Sequence, residues 1–124
     1  TPAIAWTLDR DTPYVPSPLL YDGILYFLKT NNGLLTALDA KTGHPHYQIA
    51  RLDAVPNVFA SPVGAAGRIY VPGREGSTAV LRTGPKLEVL AVNELGDGFD
   101  ASPALVDGIW YWRTDSALIA IGAK

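Results

Sequence analysis

Two histidines, His44 and His46, flank Pro45 and follow Asp39 at short range. Residues at i and i+2 share one face of an extended strand, so both imidazoles can point the same way and, with a carboxylate, offer ligands to a transition metal. No obvious third ligand accompanies them, and the stretch reads as a solvated hairpin. Ser17, Ser61 and Ser102 each precede a proline. They recur at one position of a repeat, which marks them as structural rather than nucleophilic, and no Gly-x-Ser-x-Gly elbow occurs. Gly73-Arg74-Glu75-Gly76 is too short for a phosphate loop and opens no helix. Asp97-Gly98 resembles a turn and has no EF-type calcium loop around it. With cysteine absent, disulfides, thiolate metal sites and a cysteine nucleophile are excluded.

The elements that would carry these residues are those of a globular chain. It has 124 residues, 48% hydrophobic and 18% charged, with a net charge of −2, which suits one domain or a piece of one. No basic excess exists to neutralise phosphates, so nucleic acid is not an expected partner. The longest apolar runs are far shorter than the roughly 20 residues a membrane-crossing helix needs, so no membrane span is expected. The chain starts Thr1-Pro2 and contains no Met, and is expected to be a processed protein or an excised segment.

A repeat organises the whole. The Ser-Pro pairs at Ser17, Ser61 and Ser102 are 44 and 41 residues apart. Six residues after each serine stands Gly23, Gly67 or Gly108, and three further on Tyr26, Tyr70 or Tyr111. Ala37, Ala79 and Ala120 follow in the next apolar run. Each unit reads as short strands joined by tight turns. First strands are expected at 19–21, 63–65 and 104–106, and second strands at 24–28, 68–71 and 109–112. Third strands are expected at 34–38, 77–81 and 117–121, and fourth strands at about 46–50 and 87–92. Asp22-Gly23 and Asp107-Gly108 suit the type I′ hairpin, whose two central residues need positive φ, and Ala66-Gly67 fills the same place less well. No convincing amphipathic helix is found.

Four antiparallel strands in 41 to 44 residues is the size of a β-propeller blade. The second strands are apolar at consecutive positions, as expected of strands covered on both faces. The expected fold is therefore all-β: three four-stranded antiparallel propeller blades, with one blade split between the termini. Its parts are an outer strand in 1–8, a blade in 9–50, a second in 51–92 and a partial blade in 93–124. Three blades are too few to close a ring comfortably, which predicts a homo-oligomer that completes the ring or a longer parent propeller.

The run Ser17-Pro18-Leu19-Leu20-Tyr21-Asp22-Gly23-Ile24-Leu25-Tyr26, followed by Asn32-Gly33-Leu34-Leu35-Thr36-Ala37-Leu38-Asp39-Ala40-Lys41-Thr42-Gly43, resembles the repeat of pyrroloquinoline-quinone-type β-propellers. Trp6 sits where the tryptophan of a preceding blade's outer strand would fall. The match is strong in the first unit and partial in the second, where Arg82-Thr83-Gly84 replaces the Asp-x-x-Thr-Gly turn. It is also partial in the third. Phe99-Asp100-Ala101-Ser102-Pro103 is similar to closing blades of bacterial propellers of unassigned function. The resemblance implies a bacterial, extracytoplasmic protein. Members of the family include quinoprotein dehydrogenases, which bind the quinone with calcium in the axial channel, and non-catalytic scaffolds such as a lipoprotein of outer-membrane assembly. The blade motif reports packing and not chemistry. Asp100 and Asn57 precede inner strands, yet no spacing here matches the family's cofactor site, so no cofactor is expected and no catalytic or metal residue is assigned.

In a propeller, the loops entering the inner strand and those joining the second and third strands share a side. Here that side holds Lys29, Asn57, Arg74, Asp100 and Arg113, with a cation near the end of every second strand. These five are the candidate interaction residues, either as salt bridges between blades or as a polar ring that receives an anionic or peptide partner. The Trp110-Tyr111-Trp112 run reads as inter-blade packing. The expected function is a non-catalytic scaffold that binds a protein partner or itself. The alternatives are part of a quinoprotein-type dehydrogenase with its active residues outside this chain, and a propeller that binds a small ligand.

Overall fold

A computed structural model describes residues 3–13, 16–94, 104–106, 109–113 and 116–122. The first sheet contains β1 (Leu19–Tyr21), β2 (Ile24–Leu28), β3 (Leu34–Asp39) and β4 (Pro45–Arg51), in that spatial order. The second repeats it with β5 (Val63–Ala65), β6 (Arg68–Pro72), β7 (Ser77–Arg82) and β8 (Val89–Glu94). The third contains β9 (Ala104–Val106), β10 (Ile109–Arg113) and β11 (Leu118–Gly122), with β10 in the middle. All pairings within the sheets are antiparallel. The innermost strands fall where the Ser-Pro and Asp-Gly signals put them, because a proline tolerates the first position of a strand and a two-residue turn fixes the register. At both described turns the central residues have positive φ: 52° and 72° at Asp22-Gly23, 51° and 74° at Ala66-Gly67. The expected turn at Asp107-Gly108 and the third Ser-Pro pair lie outside the described residues.

The first two sheets stack face to face. Cross-strand partners share a face of a sheet, and the ladder Tyr26–Ala37–Tyr47 therefore points one way. Ile24, Tyr26, Leu28, Leu35 and Ala37 of the first sheet form one core with Ile69, Val71, Ala79 and Leu81 of the second. Leu52, Val55 and Val58 of the connection between them close one end of it. Phe27, Thr36 and Leu38, on the other face of the first sheet, are buried too. This two-sided burial explains why β2 and β3 carry no simple alternation. Tyr70 projects from the opposite face of the second sheet and meets Trp110 of the third, with ring centroids 4.8 Å apart. The sheets therefore follow one another in chain order, first, second, third.

Polar fastenings hold successive sheets together. The Tyr26 hydroxyl lies 2.9 Å from Thr83 Oγ1 and accepts from the Gly84 amide at 3.0 Å. The Tyr21 hydroxyl accepts from the Gly67 amide at 2.8 Å, and its ring covers Gly64 so closely that a Cβ there would stand 2.5 Å from it. Ser61 Oγ accepts from the Ser17 amide at 2.8 Å. Ser61 thus fastens its own blade entry to that of the first blade, a structural role.

Residues 3–8 differ from the expectation of an outer strand. They form no strand, and the third sheet has three strands among the described residues. Trp6 instead docks on the β3–β4 turn of the first sheet. Its indole N–H donates to the Ala40 carbonyl at 3.0 Å, and its ring occupies the space a Cβ at Gly43 would need, 2.6 Å away. The Thr12 carbonyl accepts from the Thr30 amide just as the Asn57 carbonyl accepts from Arg74. Residues 3–13 thus precede the first sheet as the β4–β5 connection precedes the second. The third sheet lies at the other end of the stack, which is the physical reason the two do not pair.

Candidate functional site

The loops that join second to third strands, and the connection that enters the second blade, meet along one rim. Four backbone bonds tie them: Leu52 N to Gly33 O at 2.7 Å, Gly33 N to Pro56 O at 3.2 Å, Val58 N to Asn31 O at 2.8 Å, and Arg74 N to Asn57 O at 2.8 Å. Gly33 is required there, because a Cβ would stand 2.0 Å from the Val55 carbonyl oxygen. The rim backbone is therefore fixed by the fold, and the side chains it presents have defined positions.

Three of the five expected residues are described in full on this rim. Lys29 Nζ lies 2.9 Å from Asp11 Oδ1, both side chains about one third exposed. Asn57 is exposed, and its amide donates to Glu75 Oε2 at 3.2 Å. Arg74, also exposed, lays its guanidinium over the Phe59 ring, 4.4 Å from the centroid. Arg113 ends β10 and pairs with Leu118. Asp100 lies outside the described residues. The recurrent cations thus reach back to the segment that enters their own blade, Lys29 to Asp11 and Arg74 to Phe59. A partly exposed pair of the first kind contributes below about 1 kcal/mol, and a surface cation–π contact about 0.5–1 kcal/mol. The contribution of Phe59 was missed from sequence; an aromatic two residues before a Ser-Pro blade entry was the available signal.

The histidine pair does not build a metal site among the described residues. His44 and His46 are exposed, and the carboxylate expected to join them is engaged elsewhere. Asp39 Oδ1 accepts from the amides of Lys41 at 2.9 Å and Thr42 at 3.0 Å. The bonds from Thr42 and Lys41 hold the Asp39 carboxyl below the usual aspartate range. The Asp-x-x-Thr-Gly motif is a turn cap here, completed by Gly43 at a φ of 76°.

A second feature lies between the second and third sheets. A cavity of about 250 Å³ is lined by Tyr70, Thr78, Asn93, Trp110, Trp112 and Ile121. The two indoles stand 5.7 Å apart at an interplanar angle of 38°.

This stacking of antiparallel sheets, with aromatic side chains docked into the next sheet's turns, is a β-propeller blade fold. Comparison with solved structures bears this out. BamB from Moraxella catarrhalis superposes with a TM-score of 0.71 at 20% identity, over 94% of this chain and 36% of that one. The quinohemoprotein alcohol dehydrogenase from Comamonas testosteroni superposes with a TM-score of 0.61 at 17% identity, over 82% of this chain and 17% of that one. The chain thus spans about a third or less of the length of either. No family model and no curated protein matches the sequence.

Proposed function

We propose that this chain is part of a non-catalytic, extracytoplasmic propeller scaffold that presents the rim at Lys29, Asn57 and Arg74 to a protein partner. The observation that carries the reading is the rim itself. Exposed Arg74 and half-buried Phe59 stack on a backbone cross-tied between blades, beside the exposed Asn57–Glu75 pair. Arginine and aromatic side chains on a rigid support are the composition that protein interfaces favour, and a fixed backbone lowers the ordering cost of binding. The ring is completed by further blades or by a second copy, and the sequence repeat gives Arg113 the position of Lys29 and Arg74. Site-specific photocrosslinking from position 75 in cells of the source bacterium is the test. A discrete adduct with one protein, lost in Arg74→Glu and Asn57→Ala with the melting temperature unchanged, supports it. Adducts that ignore both substitutions overturn it.

One of the similar structures is an alcohol dehydrogenase, and a direct assay tests the dehydrogenase alternative. The protein is incubated with pyrroloquinoline quinone, calcium, a primary alcohol and an artificial electron acceptor. Sustained turnover would sink the scaffold reading, and none is expected.

A further inference from the structure

The two described inter-blade spaces are built differently at equivalent positions. Between the first and second sheets, the ladder Tyr26–Ala37–Tyr47 and the ladder Leu28–Leu35–Ala50 face the neighbour, and Tyr47 packs against the shared core. The corresponding ladders facing the third sheet are Tyr70–Val80–Ala91 and Pro72–Thr78–Asn93. Alanine stands where the first blade has its large tyrosine, which opens space. Threonine and asparagine stand where it has leucine and alanine, which makes the opened space polar on one wall. The third sheet supplies Trp110, Trp112 and Ile121 to the opposite wall. Thr78 and Trp112 are nearly fully buried, and Asn93 is at the accessible edge.

We infer that this crevice is a binding site for one neutral hexopyranose ring, free or at the end of a chain. Among the described residues no charged side chain lines it, and a charged guest would lose its hydration without a compensating partner. Indole and phenol rings offer an electron-rich face to the polarised C–H groups of a sugar. The Asn93 amide both donates and accepts, and the Thr78 hydroxyl does the same, which matches vicinal sugar hydroxyls. The volume lies below the roughly 300–1,000 Å³ of drug-sized sites, so a single ring is the appropriate guest. So small a ligand binds with a dissociation constant on the order of millimolar. This inference is independent of the rim and of its partner.

The test follows the indole N–H signals of Trp110 and Trp112 by NMR while glucose, galactose, mannose and N-acetylglucosamine are added in turn. Trp6, docked on the β3–β4 turn of the first sheet, is the internal control. The expected result is a saturable shift of Trp110 and Trp112, with Trp6 unmoved, for at least one sugar. Ala91→Tyr, which copies the first blade, is expected to abolish it, and Asn93→Ala to weaken it about tenfold. Thr78→Val is the backup should Ala91→Tyr not fold. No saturable shift with any sugar overturns the inference. So does binding that survives Ala91→Tyr or both milder variants. Tetramethylammonium and indole are titrated alongside, and a response confined to either would reassign the crevice to cations or to flat aromatics and overturn the sugar reading.

Discussion

Tyr26 and Tyr47 stand on one ladder of the first sheet, on either side of Ala37, and their hydroxyls fare differently. That of Tyr26 bonds to Thr83 and Gly84 of the next blade. That of Tyr47 is buried with no hydrogen-bond partner among the described residues, and burial, with Tyr26 close by, pushes its ionisation well above the ordinary tyrosine range. A satisfied buried hydroxyl stabilises, while an orphaned one costs its desolvation. Tyr26→Phe is therefore expected to destabilise the fold by about 1–2 kcal/mol, and Tyr47→Phe to leave it unchanged or raise it by up to about 1 kcal/mol. Urea titration of the two variants reads the contrast, and equal losses would contradict it. Asp39 makes a pH prediction. Its folded pKa lies below the unfolded value, so the contribution is present above the unfolded pKa and is lost as pH falls through the folded one. Asparagine keeps an acceptor without the charge. The melting temperature of Asp39→Asn should lie below that of the wild type at about pH 7, and the gap should shrink towards about pH 2.

At the scale of elements, most of the strands were legible because their limits are set by local chemistry. A proline opens the inner strand, and a Gly-containing turn sets the β1–β2 and β5–β6 registers. β1, β5 and β9 carry the expected boundaries, and β2 does too. The outer strands are less legible, since β4 and β8 contain register irregularities that sequence does not announce. In β4, Ile49 has a φ of 47° while its amide donates to Thr36 Oγ1 at 3.0 Å. A β-branched residue in that region is strained and gives no sign of it in composition. Residues 3–8 misled because a tryptophan in an extended apolar run reads as a strand; its partner is a turn 34 residues on, and docking to a turn leaves no periodicity. The rim was legible as a group through its recurrent cations. The crevice was not, because it depends on which positions of successive units face each other, and that register is set by the bulged pairings.

For the whole molecule, the stack ends in uncovered sheet. Leu118 is 76% exposed, on β11, an edge strand among the described residues. Such an edge offers backbone groups and apolar side chains to another chain. The 124-residue chain in isolation is expected to self-associate, giving a light-scattering mass near twice 13.2 kDa or more. Leu118→Lys should shift it towards the monomer. A wild-type monomer at high concentration would contradict this. The fastenings between blades bear on how such a stack tolerates change. Trp6 grips the Ala40 carbonyl, and the hydroxyls of Tyr26 and Tyr21 grip the Gly84 and Gly67 amides. In these three bonds the earlier segment supplies a side chain and the later blade answers with its main chain, whereas the bond from the Ser17 amide to Ser61 Oγ runs the other way. A receiving turn made of peptide groups is indifferent to most of its own side chains. It could therefore drift from Asp39-Ala40-Lys41-Thr42-Gly43 to Arg82-Thr83-Gly84-Pro85 without releasing its neighbour, and mutation is expected to accumulate faster in the receiving turns than in the aromatic residues that reach into them.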